Sequence, residues 1–146
     1  MRVVIDTNVV IAGLRCSGGA SHAIIRLVFA RRLRPVLSVP LVLEHEEVIK
    51  RTGMLPHLEA ADIEAFLDGW CACGIDQPVY FGWRPVLNDP DDDMLLELAV
   101  AGGVEFLITS NVRDFRPAVR FRVAVVTPAE FVSYYFQDDS TDRAIT

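Results

Sequence analysis

The sequence has a single lysine, Lys50, among its 14 basic residues, and 20 acidic residues leave it with a formal net charge of −6. A protein that coats nucleic acid by bulk electrostatics needs the opposite balance. A nuclease remains open, because divalent cations in an acidic site reverse its local sign. Long apolar runs are also missing. Hydrophobic residues make up 51% of the 146, yet no stretch approaches the roughly 20 uninterrupted apolar residues of a membrane span. The opening residues lack a basic segment followed by an apolar core and cleavage site, so the expected location is the cytoplasm, with no membrane partner. Cysteine is scarce: Cys16, Cys71 and Cys73 are odd in number and lack zinc-type spacing. That excludes a disulfide framework and predicts small buried thiols. No repeat, low-complexity segment or linker divides the chain. One domain with a substantial core is expected over residues 1–136, followed by a polar, disordered tail over 137–146.

What is present begins with Val3, Val4 and Ile5, a continuous apolar run that suits a strand covered on both faces of a parallel sheet. Asp6 follows at its carboxyl end, where open α/β sheets place their ligands. Taken alone, Asp6 reads as the N-cap of the next helix. Spacing then predicts helices over Thr7–Leu14, Ala20–Arg32, Pro40–Lys50, Glu59–Cys71, Asp89–Ala101 and Pro128–Phe136. Strands are expected at Arg34–Ser38, Ile75–Phe81, Glu105–Thr109 and Phe121–Val126. This alternation predicts an α/β domain with a parallel sheet and helices on both sides. Ile63, Phe66, Leu67 and Trp70 lie at helical spacing and predict core packing rather than a cofactor box. The same stripe leaves a homodimer face open.

The acids then need separate weighing. Glu44 lies three residues after Leu41 and four before Val48, on a line of apolar positions. Glu47 reads as a solvated partner of Lys50 and Arg51, Glu46 stays ambiguous, and His45 is expected to be partly exposed. In NDPDDDMLLELAVAGG, Asp89 as N-cap and Pro90 at the first position account for a helix start. Within that helix Asp92 shares a face with Leu95, Leu96 and Ala99, whereas Asp93 lies four residues before Glu97 and nearer solvent. A carboxylate aimed at a core is costly without a cation, donor or water in front of it. The apolar strand FLIT ends in Thr109-Ser110-Asn111-Val112-Arg113-Asp114, again a polar cluster at a carboxyl end. Acids that converge on one crevice repel one another and hold their protons more tightly. Hard cations such as Mg²⁺ or Mn²⁺ remove that conflict, and phosphoryl chemistry is the natural use of such a pocket.

These pieces, in this order, resemble the PIN domain family, in particular its VapC-like toxins. They are the opening strand with Asp6-Thr7-Asn8, the SVPLVLEHEEVIKR segment with Glu44, NDPDDDMLLELAVAGG with Asp92, and FLITSNVRDF, and they spread over residues 2 to 115. The resemblance implies a PIN-like three-layer α/β/α sandwich with a central, mainly parallel sheet of four to five strands. It also implies a Mg²⁺- or Mn²⁺-dependent ribonuclease that prefers single-stranded RNA, with Asp6, Glu44 and Asp92 as its catalytic acids and metal ligands. Thr7 and Asn8 would orient Asp6 or a water, and Thr109, with Ser110 and Arg113, would lie near the substrate. Where many relatives have a further Asp, this chain has Asn111, which can ligate through its amide oxygen but adds no charge; Asp114 is the candidate to compensate. Members of the family often dimerise and are held inactive by an antitoxin protein that fills the acidic groove.

Two other readings compete. A PIN-like module that binds RNA or a protein without cutting is favoured by Asn111. A phosphoacceptor or phosphatase on a similar sheet is disfavoured, because Lys50 is the only lysine and Asn8 stands two residues beyond Asp6. Arg113, Arg116, Arg120 and Arg122 suit either an RNA backbone or solvated loop charges.

Overall fold

A computed structural model describes residues 1–51, 53–79 and 86–145, with the side chains of 119, 120 and 139–145 outside that description. Five strands form one all-parallel sheet: β1 (Arg2–Ile5), β2 (Arg34–Leu37), β3 (Ile75–Asp76), β4 (Phe106–Ile108) and β5 (Ala124–Val126), in the order β3-β2-β1-β4-β5. The first strand in the chain is therefore the middle strand of the sheet. Val3, Val4 and Ile5 pair in register with Phe106, Leu107 and Ile108, and all six are buried. Continuous apolar runs end up here because a central parallel strand has no solvent face to give to polar residues.

Helices α1 (Thr7–Arg15), α2 (Ala20–Phe29), α3 (Val39–Ile49), α4 (Ala60–Cys73), α5 (Pro90–Ala101) and α6 (Pro128–Ile145) and a 3-10 segment (Val112–Phe121) connect and cover the strands. α1 to α4 and α6 pack among themselves, and α5 packs on β1, β2 and β4 and on the 3-10 segment. This is an α/β sandwich of the expected kind, with the sheet entirely parallel. The stripe of α4 is core, as its spacing predicts: Ile63, Leu67 and Trp70 are buried. Phe66 stacks on Trp70 with ring centroids 5.5 Å apart.

Several boundaries differ from expectation. The last strand begins at Ala124 rather than Phe121: Phe121 closes the 3-10 segment, and Arg122 stands at φ 60°, which interrupts an extended run. The last helix continues to Ile145 instead of ending at Phe136, so residues 137–145 are helical where a disordered tail is expected. The expected third strand shortens to Ile75–Asp76, and its far end, residues 80 and 81, lies outside the described residues, as does the side chain of Arg120. The cysteines are free, but only Cys73 is buried. Cys16 falls in the turn after α1, and Cys71 is exposed on α4.

Candidate active site

The carboxyl ends of β1 and β4 lie side by side, and the candidate residues gather there. Asp6 follows β1 and is only 8% exposed. It occupies the N-cap position of α1, yet its side chain makes no capping hydrogen bond. Instead Oδ2 accepts the hydroxyl proton of Thr109 at 2.8 Å, from the residue after β4. The Thr109 hydroxyl oxygen in turn accepts the backbone N–H of Asn111 at 3.1 Å. The backbone N–H groups of Asn8 and Thr7 also act on the Asp6 carboxylate, so it faces both the start of α1 and the Thr109 hydroxyl across the sheet.

Glu44 reaches the same place from α3. Its Oε1 accepts the Thr7 hydroxyl at 2.5 Å, and Thr7 Oγ1 lies 2.8 Å from Nδ1 of His45. Asn8 joins the two strand ends by accepting the Ser110 N–H at 3.3 Å. A cleft of about 340 Å³ is lined by Asp6, Asn8, Glu44, Glu47, Arg51 and Asp91, among others. A neighbouring cleft of about 450 Å³ is lined by Asn88, Asp89, Pro90, Asp92 and Asp114. A larger hollow of about 550 Å³ beside Leu37, Pro40 and Met94 is mainly apolar and lacks this convergence of carboxylates.

The acids pay electrostatically for standing together. Burial raises the pKa of Asp6, against the opposing hydrogen bond from Thr109. Burial also raises Glu44, opposed by the Thr7 hydroxyl and reinforced by Asp6, Asp91 and Asp89. Asp92 is raised to about 6, first by desolvation and then by Asp89, Asp6, Asp114 and Asp91. An acid in the first turn of a helix ordinarily gains from the helix dipole; here burial and four neighbouring carboxylates outweigh it. Among the described residues none of the three is in an ion pair: those present join Lys50 to Glu46 and Glu64, and Arg51 to Glu47 at 3.6 Å.

The profile of the PIN domain matches residues 2–113. The chain belongs to the PIN domain family. No curated protein and no solved structure gives a significant match. PIN domains are in general nucleases, that is, hydrolases, and the match spans β1, α3 and α5, which lead to or carry Asp6, Glu44 and Asp92, together with β4, which leads to Thr109.

Not every candidate of this PIN domain converges. Asp6, Thr7, Asn8 and Glu44 line one cleft, and Asp92 and Asp114 the other. Ser110, Asn111 and Arg113 are exposed in the segment after β4 and line neither. Among the described residues no three Asp, Glu, His or Cys side chains form a group that could hold one ion together.

Two expectations need correction. His45 is not partly exposed but buried, at 1%, because it continues the stripe of Leu41 and Ile49 at four-residue spacing. Asp93 is not a solvent-facing acid: its Oδ1 accepts the N–H groups of Val86 and Leu87 at 3.1 and 2.9 Å and ties that loop to α5. Sequence reading also misses Asp91 and Arg51. Asp91 looks like one more helix-start acid, although a step of about 100° per residue turns it from Asp92's cleft to that of Asp6.

Proposed function

We propose that this PIN domain protein is a Mg²⁺- or Mn²⁺-dependent endoribonuclease that hydrolyses phosphodiester bonds of single-stranded RNA, and that it is the VapC-like toxin of a toxin–antitoxin pair. The observation that carries the reading is the set Asp6, Glu44 and Asp92: each has a raised pKa and none has a cationic partner among the described residues. Left alone, such a set only costs stability; a hard divalent cation turns the cost into binding.

The donors fit such an ion. All are carboxylate oxygens, and Mg²⁺ keeps several waters while taking one or two carboxylates, so a closed three-acid cage is not needed. When bound, the cation supplies activation of water and neutralisation of charge on the phosphate. Asp6 and Glu44 would hold it in their cleft, and Asp92, with Asp114 in the neighbouring cleft, would face the waters that such an ion keeps. The Thr109 hydroxyl keeps one oxygen of Asp6 fixed, and the Thr7 hydroxyl does the same for Glu44. Arg113 on the exposed segment is available to a phosphate. The acidic clefts also suit an arginine from an antitoxin that would occupy them in place of RNA.

The test is cleavage of end-labelled single-stranded RNA with Mn²⁺ or Mg²⁺, beside EDTA and Asp6→Asn controls. Metal-dependent cutting is expected, lost in the variant while RNA binding persists. A folded, partner-free protein that cuts no RNA and takes up no Mn²⁺ by calorimetry would refute it. That result would favour a module that binds RNA or a protein without cutting, the reading to which the uncharged Asn111 points.

A further inference from the structure

Two threonines at this site are wired alike. Thr109 Oγ1 accepts a hydrogen bond from the N–H of Asn111 and donates its hydroxyl to Asp6. Thr7 Oγ1 donates its hydroxyl to Glu44 and has the ring nitrogen Nδ1 of His45 at 2.8 Å. A hydroxyl has one proton to give. With that proton directed at the Glu44 carboxylate, the contact with His45 is a hydrogen bond only if Nδ1 carries hydrogen.

We propose that His45 is a positioning residue for Glu44: a buried neutral imidazole, protonated on Nδ1, that donates to Thr7 Oγ1 and so aims the Thr7 hydroxyl at Glu44. This goes beyond the three acids but rests on the nuclease reading for its purpose.

The surroundings of the ring support the same tautomer. Nε2 is buried without a hydrogen-bond partner, and so is Nε1 of Trp70, whose ring meets that of His45 edge-on at 6.2 Å. Protonation on Nε2 would bury a second N–H donor without an acceptor, in addition to that of the indole. A buried N–H without an acceptor is rarer than an acceptor without a donor. Protonation on Nδ1 leaves Nε2 as a bare lone pair and adds no second buried donor without an acceptor. It also serves Thr7. The position of His45 follows from the helix: one residue past Glu44, it turns inward while Glu44 faces the cleft, so one turn of α3 holds both the ligand and the group behind it.

The test combines the ring's ¹⁵N shifts with Mn²⁺ binding. In the wild-type protein at neutral pH, long-range ¹H–¹⁵N spectra are expected to show His45 Nδ1 protonated and Nε2 bare. His45→Leu removes the donor and is expected to weaken Mn²⁺ binding by about tenfold to a hundredfold, the usual effect of losing a group behind a ligand. His45→Asn returns an amide donor near the former Nδ1 and is expected to recover most of that loss, although it fills the space beside Trp70 less well than leucine. A protonated Nε2, or a folded His45→Leu protein that binds Mn²⁺ as the wild type does, overturns the assignment. If His45→Leu fails to fold, the tautomer and the His45→Asn protein decide. If the wild type itself binds no Mn²⁺, the metal-dependent nuclease reading falls, and the tautomer alone judges whether His45 orients Thr7.

Discussion

Replacing Asp92 with asparagine should stabilise the metal-free protein, but only above a definite pH. The folded protein holds the Asp92 proton more tightly than the unfolded chain does, with a pKa of about 6 against an ordinary value of 3.8. Below 3.8 both states are protonated and the group is neutral in its effect. As pH rises through that value the unfolded chain releases its proton first, so folding becomes less favourable, and the loss is complete above about 6. For a fully enclosed carboxyl the difference is worth about 3 kcal/mol. Asp92 is only half-buried, and solvent screening reduces the figure to about 1 kcal/mol. In a protein of this size that is about 2–4 °C of melting temperature. The assay is thermal unfolding in EDTA from pH 4 to 7.5, wild type against variant. The two curves should separate between pH 4 and 6, with the variant the more stable at neutral pH, and saturating Mn²⁺ should reverse the order. Parallel curves would refute the claim that the acids at this site conflict.

Other consequences are equally direct. Gly13→Ala would put a Cβ 2.5 Å from Ile25 Cδ1 and 2.9 Å from the Ser21 carbonyl oxygen, forcing α1 away from α2. The crowding costs about 2 kcal/mol, offset by about 1 kcal/mol of helix propensity, and denaturant titration should show a net loss of stability. Thr109→Val keeps the shape of the β4 end but removes the donor to Asp6, and Mn²⁺ affinity measured by calorimetry should fall roughly tenfold. Asn111→Asp adds a carboxylate beside the site and should tighten Mn²⁺ binding several-fold, roughly as ligand charge count dictates; unchanged affinity would place residue 111 outside the metal site.

The fold was legible because its signals are local. Val3 to Ile5 and Phe106 to Ile108 are unbroken apolar runs that suit a covered parallel strand, and Asp89-Pro90 marks the start of α5 within a residue. Asp6, Glu44 and Asp92 stood out because each breaks or ends an apolar pattern. What stayed hidden depends on contacts that no spacing encodes. Nothing local to Asp93 says that the backbone of Val86 and Leu87 folds back onto it. His45 and Asp91 are a different matter: the four-residue spacing from Leu41 through His45 to Ile49 was available, and so was the rotation from Asp92 to Asp91. A lone histidine and a run of acids at a helix start each have a commonplace explanation, and it masked the position.

The hydrogen bond from Thr109 to Asp6 spans 103 residues of sequence, and that separation has a meaning in time as well as space. A chain made at about 5–20 residues per second exposes residue 6 roughly 5–20 s before residue 109 exists. Until β4 docks against β1, the first acid lacks the Thr109 hydroxyl that reaches it across the sheet, and Asp92 arrives almost as late. On the proposed reading, a growing chain carries no finished cutting site until the segment through Thr109 has been made and has docked against β1, so the order of the strands works as a timer on activity.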